Sequence, residues 1–427
     1  MGFEYTAHNV TLGARMLLRL LIAASLAAAS ALPLFQQVDE MVTSLSEITG
    51  WKVERKVPSE IMSKDKFRTY VDSKMKDSSR DQLRAEEITL KMFGFVPQNF
   101  NLAQETVDLV SEQAAAFYDY NKKRLFVLDS TSEGMEQRVA LVHELAHALA
   151  DQHHPLGKYL HKGSPDDDAS TARQAVMEGQ ATWLTWAYVS KRNGGKAEVP
   201  ADLIDQLTKT LGSDSADFPV FTKAPLYMKE SLVFPYNEGL RFQDAIYHRL
   251  GRSAFDQVFT RAPESTQQIL HPEAYLANQK PVEPDAPSIE SAVGKKDGKQ
   301  YRLLAEGSLG EFDFSVLLRQ YVPEKEGAEA ASHWRGATYR IYESKRDKHS
   351  VLTYRAEWDS PESARHFFKL YQVVMKGRWK KMDIDHEADS NHVDSNSAGA
   401  LVTGSGDSGN FRLKWNGSAV ESFEGLR

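Results

Sequence analysis

The chain has 427 residues, 41% of them hydrophobic and 26% charged, with 52 Lys and Arg against 59 Asp and Glu. That length predicts two folded units rather than one core, the apolar content excludes wholesale disorder, and a net charge of −7 leaves no cationic field to draw nucleic acid. Cysteine is absent, which removes disulfides, thiol nucleophiles, Cys-ligated zinc and iron–sulfur clusters together.

Arg15 and Arg19 precede an apolar stretch, Leu20 to Ala31, that ends in Ala29-Ser30-Ala31 before Leu32-Pro33. This is the pattern of a secretory signal peptide over residues 1–31, with cleavage after Ala31 and a periplasmic or secreted mature chain. The stretch is shorter than the ~20 residues of a spanning helix. Membrane contact is expected only if the segment is retained, when Met16 to Phe35 would just span.

Residues 36–113 read as mostly helical, with Val38, Met41, Val42 and Leu45 marking an apolar stripe. Two β-rich runs, Ala116 to Tyr120 and Arg124 to Leu128, flank the polar turn Asn121-Lys122-Lys123 and predict a hairpin. Helices are expected from Glu133 to Asp151, from Ala172 to Lys191, and after Pro235. Proline and glycine accumulate over 281–299 while apolar residues thin out, which predicts a linker. Beyond it, Val351 to Trp358 has strand character and Asp359-Ser360-Pro361-Glu362 is a capped helix start with proline near its first position. Ala400 to Thr403 and Phe411 to Trp415 predict a closing hairpin.

Chemistry concentrates on one of these helices, where His143-Glu144-Leu145-Ala146-His147 forms an H-E-x-x-H motif. Positions i and i+4 share one face, so both imidazoles can reach a single ion at the ~2.0–2.1 Å that zinc requires. Glu144 projects about 100° around the helix, beside a water that zinc would acidify and from which the carboxylate would take a proton. A third ligand is needed. Glu178 lies in an otherwise apolar helix with Trp183 and Trp186, where a carboxylate requires a partner. Gly179 beside it weakens the helix by about 1 kcal/mol, a cost that makes sense if two helices approach closely there. The rival is His153, spaced as in metzincins, but those turn at a glycine where this chain has Ala150. Asp151 and His154 read as outer or surface groups, with Asp151 able to orient a ligand imidazole, and Asp166-Asp167-Asp168 as a solvated acidic loop.

His143 to His153, together with Ala175-Val176-Met177-Glu178-Gly179-Gln180-Ala181, resembles the paired signatures of a group of exported bacterial zinc metallopeptidases of gluzincin type. Leu232 to Gly239, Ser265 to Tyr275 and Trp358-Asp359 with the helix after it are similar to that group as well. The resemblance implies His143, His147 and Glu178 as zinc ligands and Glu144 as catalytic acid/base. It also implies a downstream Tyr or His that stabilises the oxyanion, here Tyr236 with His271 behind it. Gln180 and Thr182 depart from it, standing where the group and gluzincins at large carry acidic residues. The strand Arg124 to Leu128 is expected to offer an edge to an extended peptide.

The expected fold class is α+β: a helix-rich zincin-like domain with a small sheet over 32–280, the 281–299 linker, and a smaller α+β domain over 300–427. The expected function is zinc-dependent hydrolysis of peptide or protein substrates. The alternative is a catalytically silent relative acting as a binding or cell-envelope module, and a third reading is a zinc hydrolase of non-peptide amides or esters.

Overall fold

A computed structural model describes residues 11–14, 37–77, 80–129, 134–160, 167–210, 212–213, 216–389 and 399–427. The expected leader and its cleavage site lie outside the described residues, apart from a short strand, β1 (Thr11–Ala14).

The stripe on α1 (Val38–Thr49) is buried as its spacing requires, and Gly50, at φ 81°, ends the helix by donating its N–H to Ser46 O. Strand β2 (Ser59–Met62) and helices α2 (Lys64–Asp77), α3 (Arg80–Phe93) and α4 (Leu102–Gln113) follow. The hairpin forms from β3 (Ala114–Asp119) and β4 (Arg124–Leu128), and the Asp119 carboxylate accepts the amides of Asn121 and Lys122 in its turn. The sheet order is β1-β3-β4-β2, with β2 parallel to β4. Arg124–Leu128 is therefore an inner strand with both edges used, and the role expected of it as an open edge is corrected: the strand on that side is β3, against which β1 lies antiparallel.

Three long helices build the centre: α5 (Met135–His153), α6 (Asp167–Arg192) and α7 (Leu226–Leu250). Every residue of α6 from Ala175 to Tyr188 is buried, the all-round pattern of a core helix. Helices α6 and α7 meet backbone to backbone. A Cβ on Gly179 would stand 2.1 Å from the carbonyl carbon of Gly239, and one on Gly239 would stand 2.1 Å from Ala175 O. Pro235 does not precede a helix but lies inside α7, which begins nine residues earlier than the proline suggests. It offers no N–H to the carbonyl of Ser231, and tertiary packing of Val233, Phe234 and Tyr236 overrides that local loss.

The 281–299 stretch is ordered. Val282 N–H donates to Arg335 O at 2.7 Å, Arg340 reaches Asp285 at 2.9 Å, and Thr338 donates to Pro284 O, before α8 (Ile289–Gly298). The remainder is β5 (Tyr301–Ser308), α9 (Glu311–Arg319), α10 (Glu324–Ser332), β6 (Trp334–Ser344), β7 (Ser350–Trp358), α11 (Pro361–Arg378), β8 (Met382–Asp389), β9 (Gly399–Gly406), β10 (Gly409–Asn416) and β11 (Ala419–Leu426). Seven antiparallel strands run in the order β5-β6-β7-β11-β10-β9-β8. The expected hairpin is β9 with β10, but β11 returns between β7 and β10 and closes the sheet instead. Helix α11 starts as expected: Ser360 accepts from the Ser363 amide with Pro361 in the first turn, and Phe367 stacks on Trp358 at 4.3 Å.

The architecture is thus α+β, helix-rich with two sheets, and most of its buried apolar residues join one large cluster, with a small separate one of Ile289, Tyr342 and Val351. Among the described residues no helix is long and apolar enough to cross a membrane. The α6–α7 contact has no room for a methyl group. Gly179→Ala is expected to lower unfolding free energy by about 3 kcal/mol, read as a shifted urea midpoint at unchanged slope.

Candidate metal centre

Helix α5 buries His143, Glu144 and His147, which are 1%, 0% and 1% exposed, and a ligand-capable atom of each lies within 4.8 Å of the others. The imidazoles stand nearly perpendicular, at 82° with centroids 4.7 Å apart, so that their Nε2 atoms converge to 3.1 Å. Glu178 arrives from α6, and its Oε2 lies 3.0 Å from His143 Nε2 and 3.2 Å from His147 Nε2.

Two carboxylates therefore compete for a place beside the histidines, and geometry separates them. Glu178 Oε2 closes a triangle with both nitrogens, whereas Glu144 Oε2 accepts the Tyr118 N–H from β3 at 2.7 Å. Donors around a tetrahedral zinc at ~2.0–2.1 Å are about 3.3 Å apart, close to the three observed separations. Two N–H groups donating to Glu178 Oε2 account for two of the three contacts and leave the 3.1 Å approach of the Nε2 atoms unrewarded, while a single divalent cation serves all three lone pairs. The donor set fits zinc, and His143, His147 and Glu178 are the residues that could hold it.

The protonation states agree. Burial holds His143 below its ordinary pKa despite Glu178, so the ring is neutral. Burial also acts to raise Glu178, but the two histidines outweigh it and bring the carboxyl down to about 2. Neutral imidazole and ionised carboxylate are the forms that bind a metal.

Tyr236, on α7, is 6% exposed and its ring centroid is 6.0 Å from that of His143. Burial first, then the charges of Glu178 and Glu144 and a hydrogen bond with Glu178, push its hydroxyl well above the ordinary value, so it stays a donor. The Gly179–Gly239 contact explains its position: Glu178 and Tyr236 sit within a turn of that contact on their two helices.

The other expected residues go elsewhere. His153 bonds Lys52 O at 2.8 Å and stacks on Trp51 at 5.4 Å, away from the triangle. His154 pairs with Asp256 at 2.7 Å, and His271 with Glu311 at 2.9 Å. Asp151 orients no imidazole; its buried carboxylate takes the Tyr118 hydroxyl, the Lys123 ammonium and the Leu156 amide. Asp167 and Asp168 are not a solvated loop but open α6, and Asp168, 2% exposed, accepts the Thr266 amide and hydroxyl. Asp166 lies outside the described residues. Thr182 Oγ1 and His143 Nδ1, the ring nitrogen turned away from the triangle, are both buried without a hydrogen-bond partner among the described residues. Sequence reasoning missed Tyr118, whose amide holds Glu144 and whose hydroxyl meets Asp151; its place on the strand just before the motif helix was the available signal.

The family described as Domain of unknown function (DUF8575) matches residues 300–425, the seven-stranded sheet and its helices. Neither a search of curated proteins nor one of solved structures returns a match.

His143 and Glu178 both have depressed values, so each contributes stability at high pH that is lost on acidification: for His143 as the pH falls below the ordinary 6.5, for Glu178 from 4.5 towards about 2. Metal-free protein is therefore expected to lose unfolding free energy between about pH 7.5 and about pH 5, and His143→Gln to flatten that slope, as measured by urea denaturation at each pH.

Proposed function

We propose that the chain is an exported, zinc-dependent peptidase of zincin type that hydrolyses peptide bonds with water as the nucleophile. One observation carries the reading: the buried triangle of His143 Nε2, His147 Nε2 and Glu178 Oε2 with a second carboxylate, Glu144, within 4.8 Å of both histidines but outside the triangle. Zinc held by the triangle supplies Lewis acidity for a scissile carbonyl and acidifies water. Glu144 takes the proton of the attacking water and passes it to the leaving amine; the Tyr118 N–H on its Oε2 fixes the side chain for that transfer. Tyr236, kept protonated, donates to the oxygen that gains negative charge. Metal binding alone has no need of Glu144.

The partner is an extended peptide or protein, reached outside the cytoplasm after export by residues 1–31. The acidic net charge argues against nucleic acid. Because the site residues are buried, entry requires an opening, and β1 pairs with β3 beside the helix that carries the motif. Loss of the leader, and β1 with it, frees that side. The same closure favours the second reading, a catalytically silent module that keeps the metal.

Mature protein lacking residues 1–31 is expected to carry one zinc per chain by elemental analysis. Glu178→Ala should lose it and His153→Ala should keep it; the reverse pattern overturns the ligand assignment. Glu144→Gln should keep zinc and lose hydrolysis of an unfolded protein by ~100-fold or more. Full zinc occupancy in wild type with no turnover would leave the silent module standing.

A further inference from the structure

A second concave feature lies at the seam between the helical half and the seven-stranded sheet, a cleft of about 470 Å³ that no ligand of the metal centre lines. Its floor is the ion pair of Arg378, at the end of α11, with Glu424 on β11. Trp379 and Tyr321 wall it, and Lys91 and Lys223 contribute ammonium groups.

The charges in the cleft do not cancel. Glu424 is fully engaged, accepting the Tyr371 hydroxyl at 2.7 Å and the Ser422 hydroxyl at 3.0 Å besides Arg378. Lys91 is paired with Glu87 at 2.6 Å, but Lys223 is exposed and forms no ion pair among the described residues. The lining thus holds three cations and one spent carboxylate in a chain whose net charge is −7.

The walls are flat, aromatic and rigid. Tyr321 packs against Gly377, where a Cβ would meet the ring at 2.4 Å, and donates its hydroxyl hydrogen to Gly94 O at 3.0 Å. The Arg378 guanidinium lies 4.9 Å from the centre of the Trp379 ring, which holds the indole in place. Small-molecule sites are clefts of ~300–1,000 Å³ with largely preformed walls and a few directed polar groups, and the seam has each of these.

We propose that this cleft binds a small organic anion with a flat apolar body, its acidic group held by Lys223 and its body lying against Trp379 and Tyr321. An aromatic carboxylate is the simplest member of the class. Such a ligand would bridge α3, the short helix Pro219–Lys223 and the matched 300–425 segment, and so would stabilise the seam whether or not the metal centre is loaded.

The test is isothermal titration of the full folded chain with 1-naphthoate, with neutral 1-naphthamide and with inorganic phosphate. Naphthoate is expected to saturate one site per chain, with naphthamide at least tenfold weaker, about 1.4 kcal/mol. Lys223→Glu should weaken naphthoate tenfold or more, and Ser408→Trp, which fills the cleft from a turn, should abolish it with the circular dichroism spectrum unchanged. No saturable binding up to ~5 mM naphthoate overturns the proposal. So does binding that both variants leave intact, or equal binding of naphthamide. Phosphate saturating where naphthoate does not would overturn the flat-bodied ligand class.

Discussion

Glu178 is an ionised carboxylate taken almost wholly out of water, and the centre of the molecule is organised around that cost. An unpaired buried charge is worth several kcal/mol against folding, so its partners must be delivered with little slack. Two come from α5 and are in contact with it at 3.0 and 3.2 Å. What holds α6 in register to receive them is its contact with α7, where two glycines leave neither helix a side chain to keep them apart. The same crossing sets Tyr236 beside the carboxylate. A backbone contact is stiffer than one made by side chains that can change rotamer, which suits a site whose donors must stay fixed to within a few tenths of an ångström.

A second anchor acts on Glu144. One turn past His147, Asp151 ends the useful length of α5 and gathers the Tyr118 hydroxyl, the Lys123 ammonium at 2.6 Å and the Leu156 amide at 3.0 Å. Tyr118 is thereby held at both ends, its ring by Asp151 and its amide by Glu144. The hairpin and the helix become one unit, and the position of Glu144 follows from the position of the strand. One oxygen of Glu144 is thereby fixed by a backbone amide, which constrains the side chain without a counter-charge.

Features set within one turn or one hairpin were legible in the amino-acid sequence. The His143–His147 spacing, the turn at Asn121-Lys122-Lys123 and the Ser360-Pro361 helix start each depend on a few adjacent residues, and each stands where the pattern puts it. Glu178 was legible for a different reason: a carboxylate among Trp183, Leu184 and Trp186 demands a partner whatever the fold. Pro235 misled because its local penalty is small beside the burial of the aromatic residues around it. Asp167 and Asp168 misled because polarity does not reveal that Thr266 and Tyr339 wait across the chain to bond them. Strand order was not legible at all; Arg124 to Leu128 looks the same whether its neighbours number one or two.

The bonds to Asp167 and Asp168 also bear on how the seven-stranded sheet relates to the candidate metal centre. The first turn of α6 is tied into the sheet unit: Asp168 N–H donates to Ser308 Oγ at the end of β5, and Tyr339 on β6 donates to Asp167 at 3.1 Å. Helix α7 is tied to it as well, through the Tyr227 hydroxyl on Asp313 at 2.9 Å, and Arg84 of α3 pairs with Glu343 of β6. Asp313 is fully buried, and burial raises its pKa, so that bond lies in a region that excludes water and is correspondingly strong. The two helices that must cross at Gly179 and Gly239 are each pinned, before they reach the crossing, to the same sheet-bearing unit. Separating that unit would free the N-terminal turns of both helices and loosen the contact on which the triangle of donors depends. The sheet therefore bears on the candidate metal centre by fixing how α6 and α7 arrive, without supplying any atom to the triangle.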